Sequence, residues 1–333
     1  MAAMASNRAH ETLDTVACDL CGCSDSTLLF TVRDKYRDGG QEFSVVRCRS
    51  CCLVYVNPRP AVESIGDFYP AEYYDGEVFH CAESSSTLLD VENRRLKDIA
   101  RFVPGGRIMD VGCGSGRFLS VARSSGWIAQ GTEVSDLAAE YARDHYGLDV
   151  IGQDLLSVGF PDECFDVVTM WGVLEHLHHP RASLQEVSRI LKPNGLLVAL
   201  VPNIGSTQAR IFGSRWYLLD VPRHLYHFSR VTLNRLAASA GLCQVWARFF
   251  ASEHDVPNLI ESWKMVLWCD TPLTGRPNSE GSASSKRRWT RRRVLMGILR
   301  RTAPLMARVM AGRHSSAAME LYFVKPGLER GTA

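Results

Sequence analysis

Three groups of residues in this chain combine types and spacings that could do chemistry. The first is Cys18-Asp-Leu-Cys21, followed after an interval of 26 residues by Cys48-Arg-Ser-Cys51. Two C-x2-C knuckles at that separation predict a tetrahedral four-thiolate zinc site with Cys18, Cys21, Cys48 and Cys51 as ligands. Cys23 and Cys52 are the spare members of each close pair. A site closed by four thiolates has no open position for a substrate, so its zinc would be structural. The second group is Ile108-Met-Asp-Val-Gly-Cys-Gly-Ser-Gly-Arg-Phe118. Its apolar run through Val111 predicts a buried parallel strand. Gly112, Gly114 and Gly116 then form a loop whose backbone, lacking Cβ atoms, can lie against a ligand. A helix over Arg117 to Arg123 adds orphan N–H groups at the same place. The third group is histidine-rich: Glu175-His176 with His178 and His179, and Pro222-Arg-His-Leu-Tyr-His-Phe-Ser229. A neutral imidazole can take a proton from a hydroxyl or an activated carbon. His224 is the first candidate for that base and His227 the second, with Tyr226 and His176 as further catalytic candidates. The competing expectation is that these histidines only fix their loops through backbone carbonyls.

The glycine spacing separates two ligand classes. A dinucleotide loop needs G-x-G-x-x-G, and its third glycine would fall at Arg117. The pattern present, acid-x-G-x-G-x-G with Asp110 at the strand end, resembles motif I of class I S-adenosylmethionine (SAM) methyltransferases. Glu133 closes the second strand, Ile128 to Glu133, at 23 residues past Asp110. A carboxylate there can accept hydrogen bonds from both ribose hydroxyls. Phe165-Asp-Val-Val, Leu174-Glu-His-x-x-x-Pro180 and Leu191-Lys-Pro-x-Gly195 follow in the order seen in that family, in the broad group containing the ubiquinone-pathway O-methyltransferases. With the cysteine ribbon and the Pro222–Ser229 segment, residues 15 to 325 resemble bacterial zinc-ribbon methyltransferases of polysaccharide and secondary-metabolite pathways. The resemblance implies SAM as cofactor, held by Asp110, Gly112, Gly114, Gly116, Glu133, Asp154, Leu155 and Trp171, with Asp154 and Leu155 at the adenine. Some relatives also bind a divalent metal through E-x-x-E-H; here Gly172 occupies the first acid position.

The elements that must position these groups alternate. From Ile108 onward strands and helices succeed one another, which predicts an α/β, doubly wound, Rossmann-like sheet. Its strands are expected at Ile108–Val111, Ile128–Glu133, Val150–Asp154, Phe165–Trp171, Leu196–Val201, Gly241–Phe250 and Glu320–Lys325. The last of these seven is expected antiparallel beside the sixth. Leu191 to Gly195 reads as a helix stop and turn. Before the core come a disordered tail (1–12), the ribbon (13–57), and a linker with an amphipathic helix (58–103), whose Tyr69, Tyr73 and Tyr74 are candidate lid residues. The SAM-binding core spans 104–253. A helical insertion (254–317) precedes the last strand (318–326), and within it Thr274 to Ser285 reads as mobile and Arg293 to Met310 as helix. Ala209 to Leu219, with Trp216 and Tyr217, is a candidate wall of the acceptor pocket.

Composition limits the alternatives. The chain has 333 residues, 46% hydrophobic and 22% charged, the balance of a globular protein. Eleven cysteines suggest a reducing compartment, so a cytoplasmic location is expected, with no signal peptide and no membrane-spanning run. The net charge of +2 hides ten Lys/Arg and no acid between Gly281 and Met319. That segment could meet a membrane surface or an acidic carrier domain through 286–313, or be a solvated face. A small-molecule acceptor, methylated on a hydroxyl or on carbon or nitrogen, is the leading expectation. Nucleic-acid methylation is disfavoured because Met170-Trp-Gly-Val173 stands where an N-P-P-Y motif would. A non-catalytic SAM-binding docking protein is the third class.

Overall fold

The computed structural model describes residues 12–36, 41–69, 86–249, 252–267, 283–312 and 315–327, with the side chains of 86–88, 252–253 and 283–293 excluded. Residues 1–11 of the expected tail, Tyr73, Tyr74 and residues 274–282 of the expected mobile stretch lie outside the described residues. The N-terminal part makes five strands: β1 (Leu13–Asp14), β2 (Ser26–Arg33), β3 (Glu42–Cys48), β4 (Val54–Val56) and β5 (Arg59–Pro60). Helix α1 (Ser86–Ala100) then leads into the alternation β6 (Arg107–Val111), α2 (Arg117–Ser124), β7 (Ile128–Thr132), α3 (Asp136–Tyr146), β8 (Asp149–Ile151), α4 (Leu155–Val158), β9 (Phe165–Trp171), α5 (Pro180–Ile190) and β10 (Leu191–Pro202). The chain continues through α6 (Thr207–Phe212), β11 (Tyr226–His227), α7 (Arg230–Ser239) and β12 (Cys243–Arg248). It ends in α8 (Ser252–Leu267), α9 (Ala283–Ala311) and β13 (Ala318–Val324).

Seven strands form one sheet in the order β12-β13-β10-β9-β6-β7-β8. Strand β13 runs antiparallel to both β10 and β12, and the β10–β9, β9–β6, β6–β7 and β7–β8 pairs are parallel. The central strands are largely apolar because both faces are covered. Alternation sends Val168 and Leu197 toward Leu184 and Val187 of α5 and Leu233 and Leu236 of α7. Their neighbours Val167 and Val198 face Ile99 of α1 and Phe118 and Leu119 of α2.

Two boundaries differ from expectation. Helix α5 runs straight into β10, and Lys192 to Gly195 form an irregularity between the pairs Leu191↔Phe165 and Leu196↔Val167. Asn194 takes a left-handed conformation there (φ 65°), so the expected turn is absorbed into the strand as a bulge. Helix α9 starts at Ala283, not Arg293, because Ala-Ser-Ser-Lys-Arg-Arg holds neither glycine nor proline to stop it.

The ribbon forms a four-stranded sheet in the order β11-β4-β3-β2. Its outer strand β11 comes from the far side of the core, pairing Tyr226 with Tyr55 and His227 with Val54. Val56 N also donates to Leu225 O (2.9 Å). Val46 and Tyr55 pack into the same core as the central sheet, while Phe43, Val45, Val54 and Val56 pack with Trp216, Leu259, Ala303 and Ala307. Each such buried aliphatic or aromatic side chain is worth roughly 1.5–3 kcal/mol. The ribbon is therefore wedged between the sheet and the C-terminal helices.

Candidate active site

The glycine loop follows β6. Gly112, Gly114 and Gly116 have φ of 64°, 53° and 78°, a region costly for residues with a Cβ. A Cβ on Gly112 would lie 2.7 Å from Val173 Cγ2, and one on Gly116 would lie 2.9 Å from Ala142 Cβ. These two let the loop close against β9's continuation and α3. A Cβ on Gly114 would meet nothing within 4 Å, so this turn borders open space. Behind the loop, Thr169 Oγ1 donates to Asp110 Oδ1 (2.6 Å). Burial pushes the Asp110 carboxyl up to about 8 against that hydrogen bond.

Glu133, at the end of β7, accepts from Gly114 N (2.9 Å) and Ser135 N (2.8 Å), one on each oxygen. One carboxylate thus ties the loop to the start of α3 and keeps lone pairs for further donors. Asp154 caps α4 by accepting from Leu156 N (2.8 Å), and Leu155 is buried beside it. Trp171 packs edge-on against Phe118 and under the Arg95 guanidinium, 4.2 Å from its ring centroid. Its Nε1 is buried with no hydrogen-bond partner among the described residues. Glu92 holds Arg95 (3.1 Å) and Arg117 (3.1 Å), so α1 lies over the same end of the sheet.

The histidines meet across distant segments. His176 and His224 pack edge to face with ring centroids 4.6 Å apart. His176 Nδ1 lies 2.9 Å from Tyr69 Oη and 3.1 Å from Arg223 O. His224 Nδ1 lies 2.8 Å from Leu218 O, which fixes the proton there and leaves Nε2 as the acceptor. Both His227 nitrogens and Glu175 Oε2 are buried without hydrogen-bond partners among the described residues. Burial lowers His176 and His227 to about 4 and His224 well below its ordinary value, and it pushes Glu175 up to about 8. The imidazoles are therefore neutral at pH 7. Glu175, His176 and His224 also offer donor atoms within 4.8 Å of one another, the donor set of a metal site. Tyr226 is not brought to these rings: alternation along β11 turns it the other way, where its hydroxyl accepts from Arg59 Nη1 (2.7 Å). His178 Nε2 lies 3.0 Å from Pro60 O.

A buried ionic network holds the histidine loop. Arg223 reaches Asp34 (2.8 Å) and Asp220 (2.8 Å), and donates to Phe68 O (2.8 Å). Lys35 adds a second cation on Asp220 (3.2 Å). Two cations and two anions balance in a site almost free of water. Burial would raise Asp220, but Lys35 and Arg223 outweigh it and hold the carboxyl below the usual range.

The thiols of Cys18, Cys21, Cys48 and Cys51 all lie within 4.8 Å of one another, with Cys18–Cys51 at 3.3 Å and Cys21–Cys48 at 3.6 Å. A tetrahedron with bonds of about 2.3 Å has edges of about 3.8 Å, so the cluster has the dimensions of a zinc site. Gly22 and Cys52, each following the second cysteine of its knuckle, take φ of 75° and 65°. That turn lets Gly22 N and Cys52 N donate back to Cys18 O (2.7 Å) and Cys48 O (3.0 Å). Cys23 and Cys52 stand outside the cluster.

The family described as methyltransferase domain matches residues 88–245. With the sheet order and the glycine loop, this decides the assignment. The chain contains a class I SAM-dependent methyltransferase domain. It is 28% identical over 170 residues to a ubiquinone biosynthesis O-methyltransferase of Thiobacillus denitrificans, covering 46% of this chain and 73% of that protein. It is 32% identical over 150 residues to 24-methylenesterol C-methyltransferase 2 of Oryza sativa subsp. japonica, covering 40% of each. A solved SAM dependent methyltransferase from Archaeoglobus fulgidus aligns with 76% of this chain and 98% of its own at 18% identity, with a TM-score of 0.48.

Several residues that line or support the candidate site carry no signal in the sequence. Thr169 looks like any residue of a buried strand, and Asp34 and Lys35 look like a solvated hairpin end. Arg223 stands inside the Pro222–Ser229 motif, but its role depends on partners 189 and 155 residues away at Asp34 and Phe68. Glu92 and Arg95 sit among the ordinary charges of an amphipathic helix.

Proposed function

We propose that this protein transfers the methyl group of SAM to a hydroxyl oxygen of a small biosynthetic intermediate. The observation that carries this reading is the cluster of three neutral imidazoles, His224 and His227 buried and His176 half-buried, linked to the glycine loop through Val173 against Gly112. When bound, SAM supplies an electrophilic methyl carbon whose leaving group is a neutral thioether. The open turn at Gly114 receives its amino-acid half, with Gly112 and Gly116 shaping the loop. Asp110 and Trp171 line that end. Glu133 accepts from the ribose hydroxyls, and Asp154 with Leu155 meets the adenine.

On the acceptor side, His224 Nε2 takes the hydroxyl proton, with His227 and His176 alongside. A base with a lowered pKa is weak, so it suits an acidic hydroxyl such as a phenol better than an alkanol. That preference agrees with a relative whose name places it in ubiquinone biosynthesis. Cys18, Cys21, Cys48 and Cys51 hold a structural zinc that keeps the ribbon folded behind the histidine loop. No helix among the described residues is long and apolar enough to cross a membrane.

The test is calorimetric titration with SAM and S-adenosylhomocysteine, followed by labelled-methyl transfer to a panel of phenols, alkanols, amines and activated carbons. An O-methyl product formed by wild type and reduced about 100-fold or more in His224→Ala, with unchanged SAM affinity, is expected. A C- or N-methyl product, or full activity in the variant, overturns the oxygen or base assignment respectively. Absence of SAM binding by the folded protein overturns the enzyme reading.

A further inference from the structure

Helix α9 is apolar on two opposite faces. Met296, Leu299, Ala303 and Ala307 are buried. Ala303 and Ala307 share a core with Leu259 of α8 and Phe43 of the ribbon. On the other side Val294, Ile298, Leu305 and Val309 are exposed, the last three at 55%, 69% and 73%. At about 100° per residue their positions fall within about 60° of one another, a single stripe about 23 Å long. Of the fifteen large hydrophobic residues exposed among the described residues, five are on this one helix, Leu295 being the fifth. The fold supplies no cover for the stripe among the described residues.

The charge around it has one sign. Arg301 and Arg308 follow Ile298 and Leu305 by three residues and so border the stripe, and both are exposed. The helix's earlier part adds Lys286, Arg287, Arg288, Arg291, Arg292 and Arg293 in sequence, and no acid occurs between Gly281 and Met319. An aliphatic stripe without a groove, flanked only by cations, complements a surface that is anionic outside and apolar just beneath. Nucleic acid would engage the cations and leave the aliphatic side chains in water.

We propose that the Val294–Val309 stripe of α9 and its flanking arginines dock the enzyme onto an anionic phospholipid surface, with the helix lying in the interface plane. The opposite face keeps its contacts with α8 and the ribbon, so docking needs no unfolding. Two weak signals act together: aliphatic insertion and attraction of Lys/Arg to the headgroups.

The experiment is co-sedimentation of the full chain with phosphatidylcholine vesicles, with and without phosphatidylglycerol, at low and high salt. Binding is expected only to the anionic vesicles and should weaken as salt rises. Combined Ile298→Gln, Leu305→Gln and Val309→Gln should lower the partition coefficient on the order of 100-fold. SAM affinity and melting temperature should be unchanged, because all three side chains are already in water. Leu28→Gln, an exposed apolar site on β2, should leave partitioning as it is. No binding to anionic vesicles overturns the proposal, as does unchanged binding by the stripe variant. Tight, stripe-dependent binding to an acidic carrier domain or to RNA, with vesicles ignored, overturns it too.

Discussion

The glycine loop, Glu133, Asp154 and Trp171 come from consecutive strand ends of one sheet, β6 to β9, each a short step along the chain from the next. His176, His224 and His227 are assembled differently. The first follows β9, the second hangs from a buried ionic network, and the third is on a strand that belongs to the ribbon's sheet. The proposed cofactor side is a product of local motifs at one sheet edge, whereas the proposed acceptor side depends on tertiary contacts that the ribbon helps to supply. In this chain a cysteine ribbon is part of the wall behind the candidate base.

Removing the zinc ligands should separate the two halves most strongly. Cys18→Ser with Cys51→Ser is expected to abolish methyl transfer while SAM affinity, read by calorimetry, stays within about threefold, since the loop glycines close against Val173, Ala142 and Leu148 of the core. Loss of SAM binding as well would mean that both halves form one folding unit, and the comparison would fail.

Arg223→Leu acts on the same half without touching the cysteines. It strands the buried Asp34 carboxylate and leaves Asp220 with Lys35 as its remaining cation, at a cost of about 3–5 kcal/mol in urea unfolding. A cost below about 1 kcal/mol would show that the network is not what holds the loop.

On the cofactor side, Glu133→Ala should weaken SAM binding about 10- to 100-fold, the worth of one or two charge-assisted hydrogen bonds. The variant should be unfolded by urea near the wild-type midpoint. An equal loss of acceptor affinity would indicate that the two halves are coupled through the loop.

A further expected effect is a pH dependence. Glu175, ordinarily 4.5, is pushed up to about 8 by burial. The native state then holds a proton that the unfolded state has released, and stability falls as pH rises through that window. Below it the contribution is complete. Asp110, pushed up to about 8 from 3.8, titrates in nearly the same range. Glu175→Gln should therefore remove about half of the decline in unfolding free energy, read by urea titrations across the window. An unchanged slope would place the Glu175 carboxylate in contact with water or a cation.

Legibility followed the same division. Motif I, the acid at the end of β7 and the strand sequence could be read because each depends on residues close in sequence, and their geometry follows from strand, turn and helix rules. The cysteine pairs were equally readable, since thiolate spacing is dictated by the tetrahedron they must form. The two boundaries that moved, at Leu191 and Ala283, are places where local turn and composition signals were overridden by strand pairing and helix propagation. Tyr226 was grouped with the histidines by proximity in sequence, yet the two-residue period of a strand put its side chain on the opposite face.

The sequence by itself determined the α/β sheet, the cofactor loop and the four-thiolate cluster, because short-range sterics and ligand geometry are enough to specify them. Only the tertiary structure decided that β11 would complete the ribbon's sheet, that Arg223 would meet Asp34, and that His176 would stand against His224. Those pairings join residues 48 (224 − 176) to 189 positions apart. They form because burying the ribbon between sheet and helices excludes water from charges and imidazoles that local sequence would leave solvated.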